Sequence, residues 1–283
     1  MTAADLASGK GHTDENFPVA SVLIARRHRA PVMAFYRFAR AADDVADHET
    51  VPPERKLALL EQMRASVAGE GTASPEGTAL RAALTARSLT DRHALDLLEA
   101  FRRDCIKTRY ANWDELLDYC RYSAMPVGRF VLDVHGESKS TWPANDALCA
   151  ALQVINHLQD CAKDYRTLNR VYLPLDALGA ISVETLAQPQ SPPALRAVLA
   201  GLARRTQALL DISRPFAAQI RDRRLALEVA VIQTLAEDLT RRLLTRDPLS
   251  ERVHHSRGEM PGLLARSLFS FAAARLGRKR NAP

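Results

Sequence analysis

Two short stretches carry carboxylates at spacings that could hold metal ions. Residues 36–47 read YRFARAADDVAD and residues 153–164 read QVINHLQDCAKD. At 3.6 residues per turn, Tyr36, Arg40, Asp43 and Asp47 fall on one helix face. Gln153, Asn156, Asp160 and Asp164 likewise share one face of a second helix. The two aspartates of each pair are offset by about 6 Å along the axis, close enough to share one hydrated cation or hold neighbouring ones. The chemistry that needs two such faces is cleavage of a diphosphate ester. A diphosphate gathers charge as its C–O bond breaks, and Mg²⁺, held by carboxylates, phosphate oxygens and water, is its usual counter-ion. Arg40 on the first face compensates the carboxylates and is placed to contact the phosphate.

One aspartate pair at i, i+4 is ordinary on a solvated helix face. Here Asp, a poor helix former, sits well inside two Ala- and Leu-rich segments. Each pair is also extended upstream on the same face by polar or aromatic residues, and it is the two motifs together that point to a site.

The elements that must position them are helical. Ala, Leu and Arg dominate, β-branched residues are sparse, and apolar positions recur at helical spacing almost throughout. Pro31 is read as the first turn of a helix over 31–48, where its missing N–H is tolerated. Turn-forming residues at 69–77, 135–146 and 188–193 separate further helices near 54–68, 78–88, 91–109, 113–135, 146–165, 194–220 and 222–245. A last amphipathic segment is expected over about 261–276. No repeat or long linker divides the chain, so residues 1–283 are read as one all-α domain, with 1–13 disordered and a basic tail at 277–283.

Of 283 residues 47% are hydrophobic and 25% charged, an ordinary globular balance that can bury a large core. Cys105, Cys120, Cys149 and Cys161 share no CxxC spacing and read as reduced core thiols of a cytoplasmic protein. The start lacks a signal-peptide pattern, and no run reaches the roughly 18 apolar residues of a membrane span. The net charge of +6 favours anionic partners: nucleic acid, an anionic membrane or a phosphorylated substrate. The basic runs at 25–29 and 221–224 are not interleaved with aromatics, which counts against a nucleic-acid stacking platform. The segment 262–280 ends in a basic cluster and suits peripheral contact with anionic lipid; a last core helix with a basic tail is the alternative. His157 lies off the aspartate face and reads as a packing residue, Tyr36 and Tyr122 by themselves as core aromatics, and no GxGxxG supports a nicotinamide site.

The segments ENFPVAS (15–21), YRFARAADDVAD (36–47), YCRYSAMPVGR (119–129) and NHLQDCAKDYRTLNRVYLP (156–174) resemble the squalene/phytoene synthase family over about residues 14–245. Within it, ENFPVAS and SAMPVGR resemble the bacterial hopanoid-pathway branch that forms hydroxysqualene. The resemblance implies an isoprenoid-synthase-type helical bundle with a central cavity. By carry-over, Asp43, Asp47, Asn156, Asp160 and Asp164 would hold Mg²⁺, while Ser21, Arg40, Lys163, Arg170 and Tyr172 would contact the diphosphate. Tyr36, Arg40, Tyr122 and Gln153 would act at the reacting carbons. Met125 stands where this branch often has Asn, and Asn169 replaces the usual Gly before Arg170. The implied reaction takes an isoprenoid substrate, presqualene diphosphate, through loss of diphosphate, cation rearrangement and capture by water. The rivals are a condensing prenyltransferase of the same family, a terpene cyclase, and a helical protein binding anionic lipid or nucleic acid, which would leave the paired aspartate faces unexplained.

Overall fold

The computed structural model describes residues 6, 24–256 and 258–280, with the side chains of 270 and 273–280 left out. Within these the chain is a succession of helices, with one isolated parallel bridge between Arg109 and Val171. Helix α1 (Arg26–Asp47) packs against α2 (Pro53–Ala68), α3 (Pro75–Thr85) and α4 (Arg92–Ile106). Next come α5 (Trp113–Ser123), α6 (Met125–His135), the long α7 (Trp142–Leu168) and the short α8 (Leu175–Leu178). The remainder is α9 (Pro193–Ser213), α10 (Phe216–Gln219), α11 (Arg223–Thr245) and α12 (Met260–Arg280).

Several helix ends follow the chemistry expected of them. Ser74 accepts from Gly77 N at 3.1 Å, Asn112 from Glu115 N at 2.9 Å, and Asp222 caps α11 through Arg224 N and Leu225 N. Asn169 closes α7 in the left-handed region at φ 50°. The Gly expected there is the usual left-handed terminator, and Asn is the side chain that best replaces it. Asn169 Oδ1 also accepts from Arg109 Nη2 at 2.7 Å, so the departure from Gly adds a tether.

Three departures from the sequence reading involve a proline. Helix α1 begins at Arg26, so Pro31 lies inside it. Its missing N–H strips Arg27 O of a partner, and Arg87 Nη1 from beyond α3 donates to that carbonyl at 2.8 Å. The single helix expected over 113–135 is broken at Ala124, whose φ of −127° ends α5; Pro126, which has no N–H to continue that helix, lies instead in the first turn of α6. The helix expected over 194–220 is interrupted at Pro215, whose missing N–H cannot continue the ladder of backbone bonds.

The expected apolar stripe on the last helix is also corrected. Helix α12 buries Ser267 and half-buries Leu263 and Phe271, yet Leu264, Leu268 and Phe269 are 38%, 51% and 78% exposed. Apolar residues therefore lie on both sides of this helix. Among the described residues no helix is long and apolar enough to cross a membrane.

The buried side chains form two apolar clusters. One gathers α1–α4 around Phe38, Leu59, Leu60 and Met63. The other gathers α5, α7, α9 and α11 around Leu116, Ile155, Leu158 and Leu210. Helix α6 belongs to both, giving Phe130 and Val134 to the first and Leu132 to the second. It lies close against α7 because residue 128 is Gly: a Cβ there would meet Asn145 Oδ1 at 2.1 Å and Cys149 Sγ at 2.7 Å. Arg129 adds an ion pair to Asp146 and lies 4.5 Å over the Trp142 ring.

Gly128→Ala is expected to force α6 off α7 and lower stability by about 1–3 kcal/mol. Chemical denaturation followed by circular dichroism measures this, and an unchanged midpoint would show that the contact yields freely.

Candidate active site

Both aspartate motifs occupy the C-terminal turns of their helices. Asp43 and Asp47 end α1, whose last turn carries no basic residue. Asp160 and Asp164 lie in the last turns of α7. Each helix therefore adds the negative end of its peptide dipoles to two carboxylates, an unfavourable arrangement unless positive charge is supplied.

Some of that charge comes from the chain. Arg40 Nη1 donates to Asp43 Oδ2 at 2.9 Å and Nη2 to Asp44 Oδ1 at 2.8 Å. Arg170, buried at 5% exposure, is ion-paired to Asp47 and donates to Ala46 O at 2.8 Å. This residue joins the end of α7 to the end of α1. It is held in turn by backbone bonds: Arg170 N to Asp164 O at 3.1 Å, Val171 N to Thr108 O at 2.9 Å and Leu175 N to Tyr110 O at 2.9 Å.

The carboxylates still crowd one another. Asp43 is pushed up to about 7, chiefly by loss of hydration and then by Asp47, against the pull of Arg40. Its side chain keeps 35% of its surface, but that surface faces an apolar cavity, so exposure and poor hydration coexist. Asp164 is likewise raised to about 7 by burial, by Asp160 and by Asp47 across the helix pair. Arg170, which follows α7 and pairs with Asp47 of α1, joins the two motifs into one cluster. The donors of that cluster are hard carboxylate oxygens, the set that suits Mg²⁺.

Below the cluster lies a cavity of about 390 Å³. Tyr36, Arg40 and Asp43 form a polar part of its wall; most of the rest is apolar, including Phe35, Phe101, Phe130 and Phe216. Phe35 and Phe130 stack with centroids 4.1 Å apart. The wall takes residues from both apolar clusters, so the cavity occupies the seam between them.

Not every expected residue lines the cavity. Tyr122 is outside this lining, its ring covered by the Arg103 guanidinium at 4.2 Å. Gln153 is also outside it and bonds His157 Nε2 at 3.1 Å. Tyr172 turns its hydroxyl to Asp104 Oδ1 at 2.9 Å. Lys163 is exposed on α7, Asn156 is half-buried, and Ser21 lies outside the described residues.

Asp104 was not legible as a site residue. It is 6% exposed, accepts from both Tyr119 and Tyr172, and is raised to about 6 by burial against the opposing pull of Arg170. His157 stacks on Tyr172 at 3.7 Å, and burial with nearby Arg170 pushes it down to about 3. It is a neutral packing residue, as its position off the aspartate face implied. Ser123, Asn145 and Glu228 also line the cavity unforeseen. Only Glu228 left a signal, as the single carboxylate in the apolar run LALEVAVI (225–232).

His28, His135 and Asp222 bring ligand atoms within 4.8 Å of one another elsewhere. Arg27 Nε donates to His28 Nε2 at 2.9 Å and Arg87 stands 3.3 Å from its Nδ1. Burial and these charges drive His28 down to about 4. Two guanidiniums make this a poor seat for a cation.

Acidic helix ends meeting over an apolar cavity within an all-α bundle define an isoprenoid-synthase fold. The squalene/phytoene synthase family model matches residues 10–259, and the chain belongs to that family. The hydroxysqualene synthase of Rhodopseudomonas palustris is 60% identical over 255 residues, covering 89% of this chain and 87% of the relative. That of Zymomonas mobilis subsp. mobilis is 55% identical over 280 residues, covering 98% and 93%. Among solved structures, squalene synthase HpnC from Alicyclobacillus acidocaldarius aligns with TM-score 0.71 at 32% identity, over 84% of this chain and 90% of that one.

The pH dependence of stability follows from Asp43 and Asp164. Both hold their protons to higher pH folded than unfolded, so between about 4 and 7 the native state binds more protons and stability falls as pH rises. Melting of EDTA-treated protein should therefore drop over this window, and Asp164→Asn should flatten the drop and raise the melting temperature at pH 8. A pH-independent melt, or a less stable variant at pH 8, would contradict the crowded-carboxylate account.

Proposed function

We propose that this chain converts presqualene diphosphate to hydroxysqualene, with Mg²⁺ held by Asp43, Asp47, Asn156, Asp160 and Asp164. The observation that carries this reading is the meeting of two acidic helix ends at the polar edge of an apolar cavity. The named function of relatives 51–60% identical supports it.

When bound, Mg²⁺ supplies positive charge that lowers the barrier to losing diphosphate. Arg40 and Arg170, now paired to aspartates, lie at the same edge and present donors to the phosphate oxygens. Asp104 positions Tyr172 beside Arg170 and so sets where that guanidinium can reach. Once the bond has broken, the cation rearranges against aromatic faces, whose negative quadrupoles favour it. The apolar wall keeps bulk water from capturing it early.

Asp43→Asn and Asp160→Asn should each lower turnover by at least about a hundredfold with the helical spectrum unchanged. Near-normal activity in either would sink the two-helix metal model. With presqualene diphosphate and Mg²⁺ in oxygen-18 water and no reductant, the product alcohol should carry solvent label. Unlabelled alcohol, or squalene made only with NADPH, would reject the reading, and efficient use of farnesyl diphosphate alone would favour a condensing enzyme.

The same reading includes a membrane surface. Helix α12 exposes Leu264, Leu268 and Phe269, and its sequence ends with Arg275, Arg278, Lys279 and Arg280. A helix apolar on both sides needs cover on its outer side. The basic end would repel its counterpart on a second copy but attracts anionic headgroups, so the cover is an anionic bilayer. Leu268→Ser combined with Phe269→Ser should lose flotation on phosphatidylglycerol vesicles while keeping its fold. Equal flotation of variant and parent would remove α12 from membrane contact.

A further inference from the structure

The acidic helix ends account for how the proposed reaction starts; its end requires a water molecule delivered to a carbocation within an apolar cavity. Further polar side chains lie in the same wall. Glu228 of α11 lines the cavity and is only 4% exposed. Carboxylates are seldom this buried, and its neighbours in the wall include Leu225, Val229 and Ile232. Ser123 ends α5 at the Ala124 break, and its buried Oγ has no hydrogen-bond partner among the described residues. Asn145 is 2% exposed; its Nδ2 donates to Asp146 Oδ1 at 3.1 Å, while among the described residues its Oδ1 receives a weak thiol contact from Cys149 at 3.7 Å. Gly128 leaves the room that Asn145 Oδ1 occupies.

These groups are what a single water needs in an otherwise apolar space: hydroxyl and amide oxygens to hold it, and a carboxylate to receive its proton. We infer that Glu228, with Ser123 and Asn145, holds the water that ends the reaction, and that Glu228 is its general base. The inference rests on the function proposed above. A lone pair of the water oxygen forms the new C–O bond to the cation. One O–H bond then breaks, its electron pair stays on oxygen, and the proton passes to the Glu228 carboxylate. Diphosphate has already left with the electron pair of the original C–O bond, so charge balances and no redox partner is required. Arg40 and Asp43 on α1 serve the ionisation, whereas Glu228 on α11 serves the capture.

The test separates ionisation from capture. Purified parent, Glu228→Gln, Glu228→Asp and Ser123→Ala proteins are given presqualene diphosphate with Mg²⁺, and released diphosphate and product alcohol are measured independently. In Glu228→Gln, diphosphate release should persist while alcohol formed per diphosphate falls by roughly a hundredfold, replaced by hydrocarbons from proton loss. Glu228→Asp should recover part of the alcohol. An unchanged alcohol-to-diphosphate ratio in Glu228→Gln overturns the inference, even if both rates fall together. Should Glu228→Gln fail to fold, Ser123→Ala, which removes only a hydroxyl, carries the same test, and an unchanged ratio there overturns it. A parent protein that makes no alcohol refutes the proposed function itself, and this inference with it.

Discussion

The arrangement depends on Arg170. Two helices end with their carboxylates and their negative dipole ends directed at one another, and mutual repulsion alone would drive them apart. One buried guanidinium spans the gap, bound to Asp47 and to the carbonyl of Ala46, while its own backbone nitrogen closes α7 on Asp164. Removing either side of a buried pair leaves the other uncompensated, which is what makes breaking it costly. The cluster is thus held together but not neutralised, since Asp43 and Asp164 retain protons well above the usual carboxylate range. In the function proposed here, a divalent ion would meet that residual demand for positive charge.

Around this link the protein builds supports in layers. The left-handed Asn169 turns the chain so that Arg170 faces α1, and Arg109 fixes that turn from outside. The bonds from residues 171 and 175 to the 108–110 segment carry the orientation back to α4 and α5. Asp104, Tyr119, Tyr172 and His157 then fill the space behind Arg170 with stacked rings and a shared carboxylate. A network of this kind resists small displacements, because shifting any one ring breaks hydrogen bonds or contacts of the others.

Much of this was legible in the sequence because helical periodicity is local. The spacing that puts Tyr36, Arg40, Asp43 and Asp47 on one face needs no knowledge of the rest of the chain. What escaped was set by distant partners. Asp104 is surrounded by tyrosines 15 and 68 positions away, and nothing in its own helix marks that. The pairing of Arg87 with the carbonyl left open by Pro31 is the same kind of event, and it compensates a proline inside a helix that starts five residues early. Tyr122 and Gln153 share helices with site residues, but side-chain partners, Arg103 and His157, decide where they point. On α12 the pattern misled because apolar residues on two sides read as one stripe when only their spacing is considered.

The cavity's place between two separately packed clusters bears on how the protein can change over time. A side chain in a filled interior touches neighbours all round, so trimming it forfeits many dispersion contacts. One that already faces empty space on one side has fewer to lose. Phe35, Leu97, Leu148 and Val229 are of this second kind, each anchored in one cluster and bare toward the seam. Exchanging such residues redraws the mould in which a flexible hydrocarbon folds while the two interiors that confer stability remain intact. Evolutionary drift in product shape is therefore cheap in this architecture, and drift at the helix ends joined by Arg170 is not.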